Sequence, residues 1–398
     1  MQLSSALSFQ STRGTGLRRG TAYALSKGAA QARPRAFGSH RDNDARGSGS
    51  PVYRAWSHAM AAALYGPQGF YTVGDGAAGH FRTSVAVSPA FADALAALAA
   101  EVDALLGHPA AFTLVDVGAD RGQLLSAVMS SECLPQQLRA RLHPVAVEHP
   151  GRVTPGNATA PLPGEAYAVT WLDQAPSPVV GMVVANELLD NVPVDVVEVD
   201  EAGAVRQVLV GSDGHELLGE GPDARAMTWL DTWWPLHGQP ARARAEVGLR
   251  RDEMWWQLVG SVERGAALAI DYGHRRGTRS SHLFGTLAGF RRGRAVPVVP
   301  DGSCDITAHV AMDACAAAGE SAGAAATVLL TQRDALRRLG VSGRVPVRQR
   351  AADDPAAYVR SLSRAGAEAE LLDPEGLGGF TWLVQSREVV VPLVPAGR

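Results

Sequence analysis

The sequence predicts an α/β fold, a mostly parallel sheet of seven strands with helices on its faces, and three observations carry that reading. From Phe112 onward short apolar runs alternate with stretches of helical periodicity, the pattern of parallel strands joined by crossover helices. Val179–Ala185 is apolar without a break, as a strand covered on both faces must be. Between the run Phe112–Val117 and the helical stretch Gln123–Ser130 lies the turn Gly118-Ala119-Asp120-Arg121-Gly122, which lets the backbone reverse tightly.

Folding is expected to begin near Pro51. Tyr53, Trp56, Met60 and Leu64 fall at helical spacing before Gly66-Pro67 ends the run. Ser88-Pro89 opens a second helix, with Ser at the cap, Pro at the first position and Phe91, Leu95, Leu98, Val102 and Leu105 on one face. Residues 51–110 thus read as an N-terminal helical lid, and 111–390 as the main domain. Within the latter, Phe112–Val117, Pro144–Glu148, Tyr167–Leu172 and Val179–Ala185 are the first four strands. Val194–Val199 and Val205–Val210 flank Glu201-Ala202-Gly203 as a hairpin, inside an insertion spanning about 191–262. A helix over about Ala245–Val262 leads to the fifth strand, Ala266–Ile270. A helix near Ile306–Ala318, a strand or helix start at Ala324–Leu330, a helix to Leu339 and a strand at Phe380–Gln385 complete the chain.

Composition sets the bounds. With 398 residues and 46% apolar content the chain can bury a sizeable core. A net charge of −3 supplies no bulk attraction to nucleic acid or anionic membrane, so neither is expected as a partner. Cys133, Cys304 and Cys315 form no CxxC pair, which argues against a disulfide framework and a thiolate metal site and suits a reducing cytoplasm. Asp93 interrupts the Ala-rich run at Ala90–Ala100, so no spanning helix is expected. Residues 1–50 carry no acid before Asp42. That composition resembles an organellar transit peptide, but Gly and Pro break any amphipathic face, and the segment reads as a disordered extension.

The polar residues at strand ends carry the chemistry. Gly118 and Gly122 allow close approach of a ligand, and Glu148, at the tip of the second strand, is placed to accept hydrogen bonds from two ribose hydroxyls. Asp116 in the first strand suits the ammonium of a methionine moiety. Together these point to S-adenosylmethionine (SAM), whose methyl transfer requires alignment of donor and acceptor and exclusion of water. Asn186 and Glu187 follow the fourth strand at the carboxyl edge, where ligands of open α/β sheets bind. Glu187 and Asp190 could accept hydrogen bonds from a guanidinium or amine acceptor; the alternative is a helix cap by Asn186 with solvated acids behind it. Asp271-Tyr272-Gly273 ends the next strand on the same edge, and Asp271 could instead only cap a turn. His274 and His309 lack partners at ligand spacing and read as packing or solvated groups, so no metal is expected. Arg275, Arg276, Arg279, Arg291, Arg292 and Arg294 form a basic loop, which reads as solvated or as a contact with an acidic protein surface.

Six ordered motifs carry a resemblance: Leu64-Tyr65-Gly66-Pro67-Gln68-Gly69-Phe70-Tyr71, Gly79-His80-Phe81-Arg82-Thr83-Ser84, the Gly118/Gly122 turn, Ala185-Asn186-Glu187-Leu188-Leu189-Asp190-Asn191-Val192-Pro193, Asp271-Tyr272-Gly273-His274 and Asp305-Ile306-Thr307-Ala308-His309-Val310. With these the sequence resembles, from Tyr53 to Arg387, the MidA-like SAM-dependent methyltransferases, which include a mitochondrial protein-arginine methyltransferase that assists complex I assembly. The resemblance implies a Rossmann-like class I methyltransferase acting on a protein side chain, with arginine favoured. It places Phe81, Thr83 and Ser84 beside the cofactor and Asn186, Glu187 and Asp190 toward the substrate. Two departures stand out. Asp120 occupies the middle glycine position of the cofactor turn, and Val85-Ala86 replaces Pro-Glu.

The expected activity is a cytoplasmic, SAM-dependent methyl transfer to a protein, by direct in-line displacement without a metal. Cofactor contacts are expected from Phe81, Thr83, Ser84, Asp116, Gly118, Asp120, Gly122 and Glu148, with Asn186, Glu187 and Asp190 catalytic. The departures motivate an alternative, a SAM-binding assembly factor without turnover. A nicotinamide-dependent oxidoreductase would also fit the glycine turn and acidic strand end, but leaves the Asn-Glu and Asp-Tyr-Gly edges unexplained.

Overall fold

A computed structural model of the chain describes residues 52–73, 84–149, 159–161, 167–391 and 393. Its main sheet contains β1 (Phe112–Val117), β2 (Leu142–Val147), β3 (Thr159–Pro161), β4 (Ala168–Leu172), β5 (Val179–Asn186), β6 (Val262–Asp271), β7 (Ala326–Thr331) and β8 (Thr381–Arg387). The spatial order is β7-β8-β6-β5-β1-β2-β4-β3. The five strands from β6 to β4 pair in parallel. β8 runs antiparallel to both β6 and β7, and the short β3 adds an antiparallel edge to β4. The sheet therefore has eight strands, one more than expected. β3 lies in a Pro-containing stretch too short to show a strand pattern.

Alternation along each strand separates two apolar layers. Leu114, Ala146, Met182, Val184, Leu268 and Trp382 face one layer, which also holds Phe91, Leu95 and Leu98 of helix Pro89–Leu105 and Leu125 and Val128 of helix Gln123–Ser130. Val115, Val145, Val183, Ala267 and Leu383 face the other, with Trp255 and Val259 of helix Leu249–Ser261 and Cys315 of helix Met312–Ser321. Ser88 caps the helix Pro89–Leu105 as expected, its Oγ accepting from Ala90 N at 3.2 Å. That helix packs on the main sheet, and Leu105, expected on its buried face, is exposed in the last turn.

Close strand approach explains two glycines. A Cβ at Gly181 would meet the Thr113 carbonyl oxygen, and one at Gly265 the Gly181 carbonyl oxygen; both residues have positive φ, +141° and +130°. Only glycine lets β1, β5 and β6 sit in this register.

A second sheet forms between β5 and β6 in sequence. Asp195–Val199 and Val205–Val210 make the expected hairpin, extended by Arg244–Val247, Glu216–Leu218 and the N-terminal pair Arg54–Ala55. Arg244–Val247 corrects the expected helix from Ala245. Ala243, Ala245 and Val247 are buried at period two, so the segment is a strand, and the helix starts only at Leu249. Helix Trp56–Tyr65 packs on this sheet, burying Trp56, Met60 and Leu64 with Val194, Val196, Val208 and Val210. After β6, Ala288–Arg291, Arg294–Val296 and Asp305–Thr307 form a third, small sheet. The helix expected near Ile306 accordingly starts at Met312. Helix Pro355–Leu371, capped by Asp354, is an addition to the expected elements.

Candidate active site

β2 lies on one side of β1 and β5 on the other, so the chain crosses from one half of the sheet to the other here. The crevice beyond the carboxyl ends of these strands is where open α/β sheets hold ligands. Three turns meet there. Gly118, Asp120 and Gly122 all have left-handed φ, +77°, +49° and +76°, which winds the backbone under the crevice and into helix Gln123–Ser130. For Asp120 that conformation is costly, because a side chain stands where glycine is free of strain.

The turn is tied to the tip of β2. Asp120 N donates to Glu148 Oε2 at 2.7 Å and His149 N to Glu148 Oε1 at 2.8 Å, while Gly118 N donates to the Val147 carbonyl at 2.9 Å. These bonds fix the Glu148 carboxylate at the strand tip beside the glycine turn. Asp116 is buried beneath the turn. Burial and the neighbouring Glu148 charge push its carboxyl up to about 7.

Beyond β5, Asn186 ends the strand and Glu187 turns with φ +52°. The buried Oδ1 of Asn186 has no hydrogen-bond partner among the described residues, an acceptor held ready at the strand tip. Glu187 N donates to the Ile270 carbonyl at 2.8 Å, and its Oε1 accepts from Ser84 N at 2.9 Å. Leu188 lies against Gly118, where a Cβ would come within 2.8 Å of Leu188 Cδ1. The glycine turn and the Asn-Glu edge are therefore in contact.

Asp190 is fully buried and does not open onto solvent. Its main chain is fixed three times: its N donates to Asp271 Oδ2 at 3.0 Å, and its carbonyl accepts from Arg251 Nη2 at 2.8 Å and from Ala308 N at 3.1 Å. Asp271 also accepts from Tyr272 N at 2.9 Å, the turn-capping role that sequence allowed. The Asp190 carboxylate faces two tyrosines. Burial and the Asp190 charge, among other acids, hold the Tyr272 and Tyr71 hydroxyls well above their ordinary range, so both remain protonated donors. Tyr71 donates to Asn191 Oδ1 and Asp305 Oδ1, both at 3.1 Å, and Asn191 Nδ2 donates to Asp305 at 2.8 Å.

The structure brings Gly118, Asp120, Gly122, Glu148, Asp116, Asn186, Glu187 and Asp190 to one edge. Ser84 is there too, but buried, its Oγ accepting from Gln332 Nε2 at 3.3 Å. Its backbone N, through Glu187, is what contacts the site. Val85 and Ala86 continue the short helix Ser84–Val87. Phe81 and Thr83 lie outside the described residues.

Sequence reasoning missed Arg251. It is buried in helix Leu249–Ser261 and donates to the carbonyls of Asp190, Val192, Ala308 and His309 at 2.8–3.2 Å, clamping the Asp190–Val192 loop to the Asp305–Val310 segment. In sequence it sits in a charged run, Arg250-Arg251-Asp252-Glu253, which reads as solvated. His274 is also buried; Arg279 Nε donates to its Nδ1 at 3.1 Å, and burial with nearby cations drives its pKa down to about 2. It packs as a neutral ring against Trp234, as expected of a packing group. Arg279 leaves the exposed basic loop for a buried ion pair with Asp313. Among the described residues no group of His, Cys, Asp and Glu is arranged to hold a metal, and no helix is long and apolar enough to cross a membrane.

Residues 94–330 match the model of a family described as "Putative S-adenosyl-L-methionine-dependent methyltransferase". A crystal structure of a Burkholderia thailandensis protein, described as a candidate methyl transferase and bound to S-adenosyl-homocysteine, is 26% identical with a TM-score of 0.68. The similarity covers 87% of this chain and 91% of that one. A native crystal structure from the same organism matches with the same identity, coverage and TM-score. No curated protein is similar to the chain.

Proposed function

The chain belongs to the S-adenosyl-L-methionine-dependent methyltransferase family, and from that premise we propose that it methylates a protein side chain, with arginine the favoured acceptor by its MidA-like resemblance. Its cofactor is SAM, which supplies an electrophilic methyl group on a sulfonium. The single observation that carries the site assignment is the Asp120 N to Glu148 Oε2 hydrogen bond, which joins the glycine turn to the acid at the neighbouring strand tip. We read the β4-β2-β1-β5-β6-β8-β7 order, with β8 antiparallel, as the class I methyltransferase sheet, and helix Trp56–Tyr65 as part of a cover over the site. The protein is expected to work in the cytoplasm.

Glu148 would accept the ribose hydroxyls, and the Gly118–Gly122 turn would run beneath the methionine portion, with Asp116 attracting its ammonium. Glu187, held by Ser84 N, would accept hydrogen bonds from the N–H groups of the acceptor and aim its nitrogen at the methyl. Asp190 would act from behind, holding Tyr71 and Tyr272 as proton donors that shape the acceptor pocket. Transfer needs the acceptor nitrogen neutral as it attacks, and a carboxylate such as Glu187 is suited to receive the proton.

The strained Asp120 and the Val85-Ala86 pair favour a second reading, a SAM-binding assembly factor without turnover. Incubation with methyl-labelled SAM and a lysate of the source cells separates the two. A labelled protein band that vanishes with Glu187→Ala supports the enzyme. No label despite tight SAM binding supports the factor.

A further inference from the structure

Helix Trp56–Tyr65 ends on a residue that touches both halves of the site. The Tyr65 ring stacks on His149, the residue after Glu148, with centroids 5.3 Å apart and planes at 27°. Its hydroxyl donates to the carbonyl of Asn191, the residue after Asp190, at 3.2 Å. Its ring also stacks on Tyr71, at 5.8 Å and 19°, which is bonded to Asn191 and Asp305. One side chain from a helix far away in sequence thus spans from the neighbour of Glu148 to the loop that carries Asp190.

We propose that Tyr65 is a positioning residue that couples cofactor occupancy at the β2 tip to the opening equilibrium of the largely buried loop Leu188–Val192, the acceptor loop. The inference rests on the methyltransferase reading of this edge. Its physical basis is the short chain of contacts. His149 N donates to Glu148 Oε1 at 2.8 Å, so the Glu148 carboxylate is tied to the peptide whose ring stacks on Tyr65. At the other end the Tyr65 hydroxyl bears on the loop backbone that carries Asp190. A ligand that fixes one end makes local opening of the other costlier. By reciprocity, a closed acceptor loop would favour the bound cofactor.

Amide hydrogen exchange on the full chain tests this, with S-adenosylhomocysteine as the probe and affinity measured in parallel by calorimetry. In wild type, saturating ligand is expected to slow exchange over Leu188–Val192 at least about fivefold, the lower end of ordinary coupling between sites. Tyr65→Phe keeps the stack and removes the hydroxyl; ligand should still bind, but the added protection of the loop should fall below about twofold. His149→Ala cuts the opposite end, at an exposed side chain, and should give the same loss. A purely structural tyrosine would change loop exchange equally with and without ligand. Full transmission of protection in Tyr65→Phe and His149→Ala overturns the proposal, as does ligand binding to wild type with no change at Leu188–Val192. Absence of any ligand binding would instead sink the cofactor assignment, and the coupling with it.

Discussion

On the proposed placement of Asp116 beside the cofactor ammonium, cofactor affinity should depend on pH. Burial and the Glu148 charge raise its carboxyl to about 7, whereas a ligand ammonium favours the ionised form. For a group titrating there, about a tenth is ionised at pH 6 and about nine tenths at pH 8. If the bound state holds Asp116 as carboxylate, the apparent dissociation constant for S-adenosylhomocysteine falls about tenfold between those pH values, or about 1.4 kcal/mol. Binding at pH 7 should also release about half a proton, read from calorimetry in buffers of different ionisation enthalpy. Asp116→Asn removes the titrating group, and its affinity should be flat over the same range. A wild-type affinity independent of pH, or an equal slope in Asp116→Asn, would refute the reasoning.

Linkage gives the same group an opposite effect on the ligand-free protein. Its folded pKa lies above the unfolded value, so its stabilising contribution is complete below about pH 4 and lost as pH rises through about 7. Melting temperature without ligand should therefore decline over that window, and Asp116→Asn should flatten the decline. Arg251→Met strips four donated hydrogen bonds from buried carbonyls; with about 1 kcal/mol net for each, the variant should lose about 3–5 kcal/mol in denaturant unfolding. A loss below about 1 kcal/mol would mean that the clamp contributes little to stability. Gly265→Ala drives a Cβ into the Gly181 carbonyl at a φ that side chains avoid, and should cost more than about 4 kcal/mol or abolish soluble expression. A variant melting like wild type would show that β5 and β6 can separate freely.

The parts of the fold that local pattern determines were readable from the chain. Phe112–Val117 and Gln123–Ser130 have the bounds their apolar runs imply, because the Gly118–Gly122 turn isolates them on one side, and Pro109 before the strand and Ser131-Glu132 after the helix on the other. Arg244–Val247 was harder, since its alternation is short and runs directly into a helix whose Trp255 and Leu258 dominate the periodic signal. Helix Pro355–Leu371 is mostly exposed and so carries little apolar periodicity; the Asp354-Pro355 start was its readable mark. The site divides in the same way. Glu148, Asn186 and Glu187 are legible as polar residues at the ends of apolar strands, whatever the rest of the chain does. Arg251 acts on carbonyls about 60 residues away in sequence, and Tyr65 on His149 and Asn191 across a sheet boundary. Such roles depend on tertiary placement, and no spacing rule reports them.

Calorimetric titration of S-adenosylhomocysteine into wild type and Glu148→Ala tests most directly whether this strand edge grips the nucleoside. Loss of two charge-assisted hydrogen bonds should weaken binding on the order of a hundredfold while the far-ultraviolet spectrum stays that of the folded chain. Equal affinities in the two proteins would mean that the cofactor sits somewhere other than beside the glycine turn.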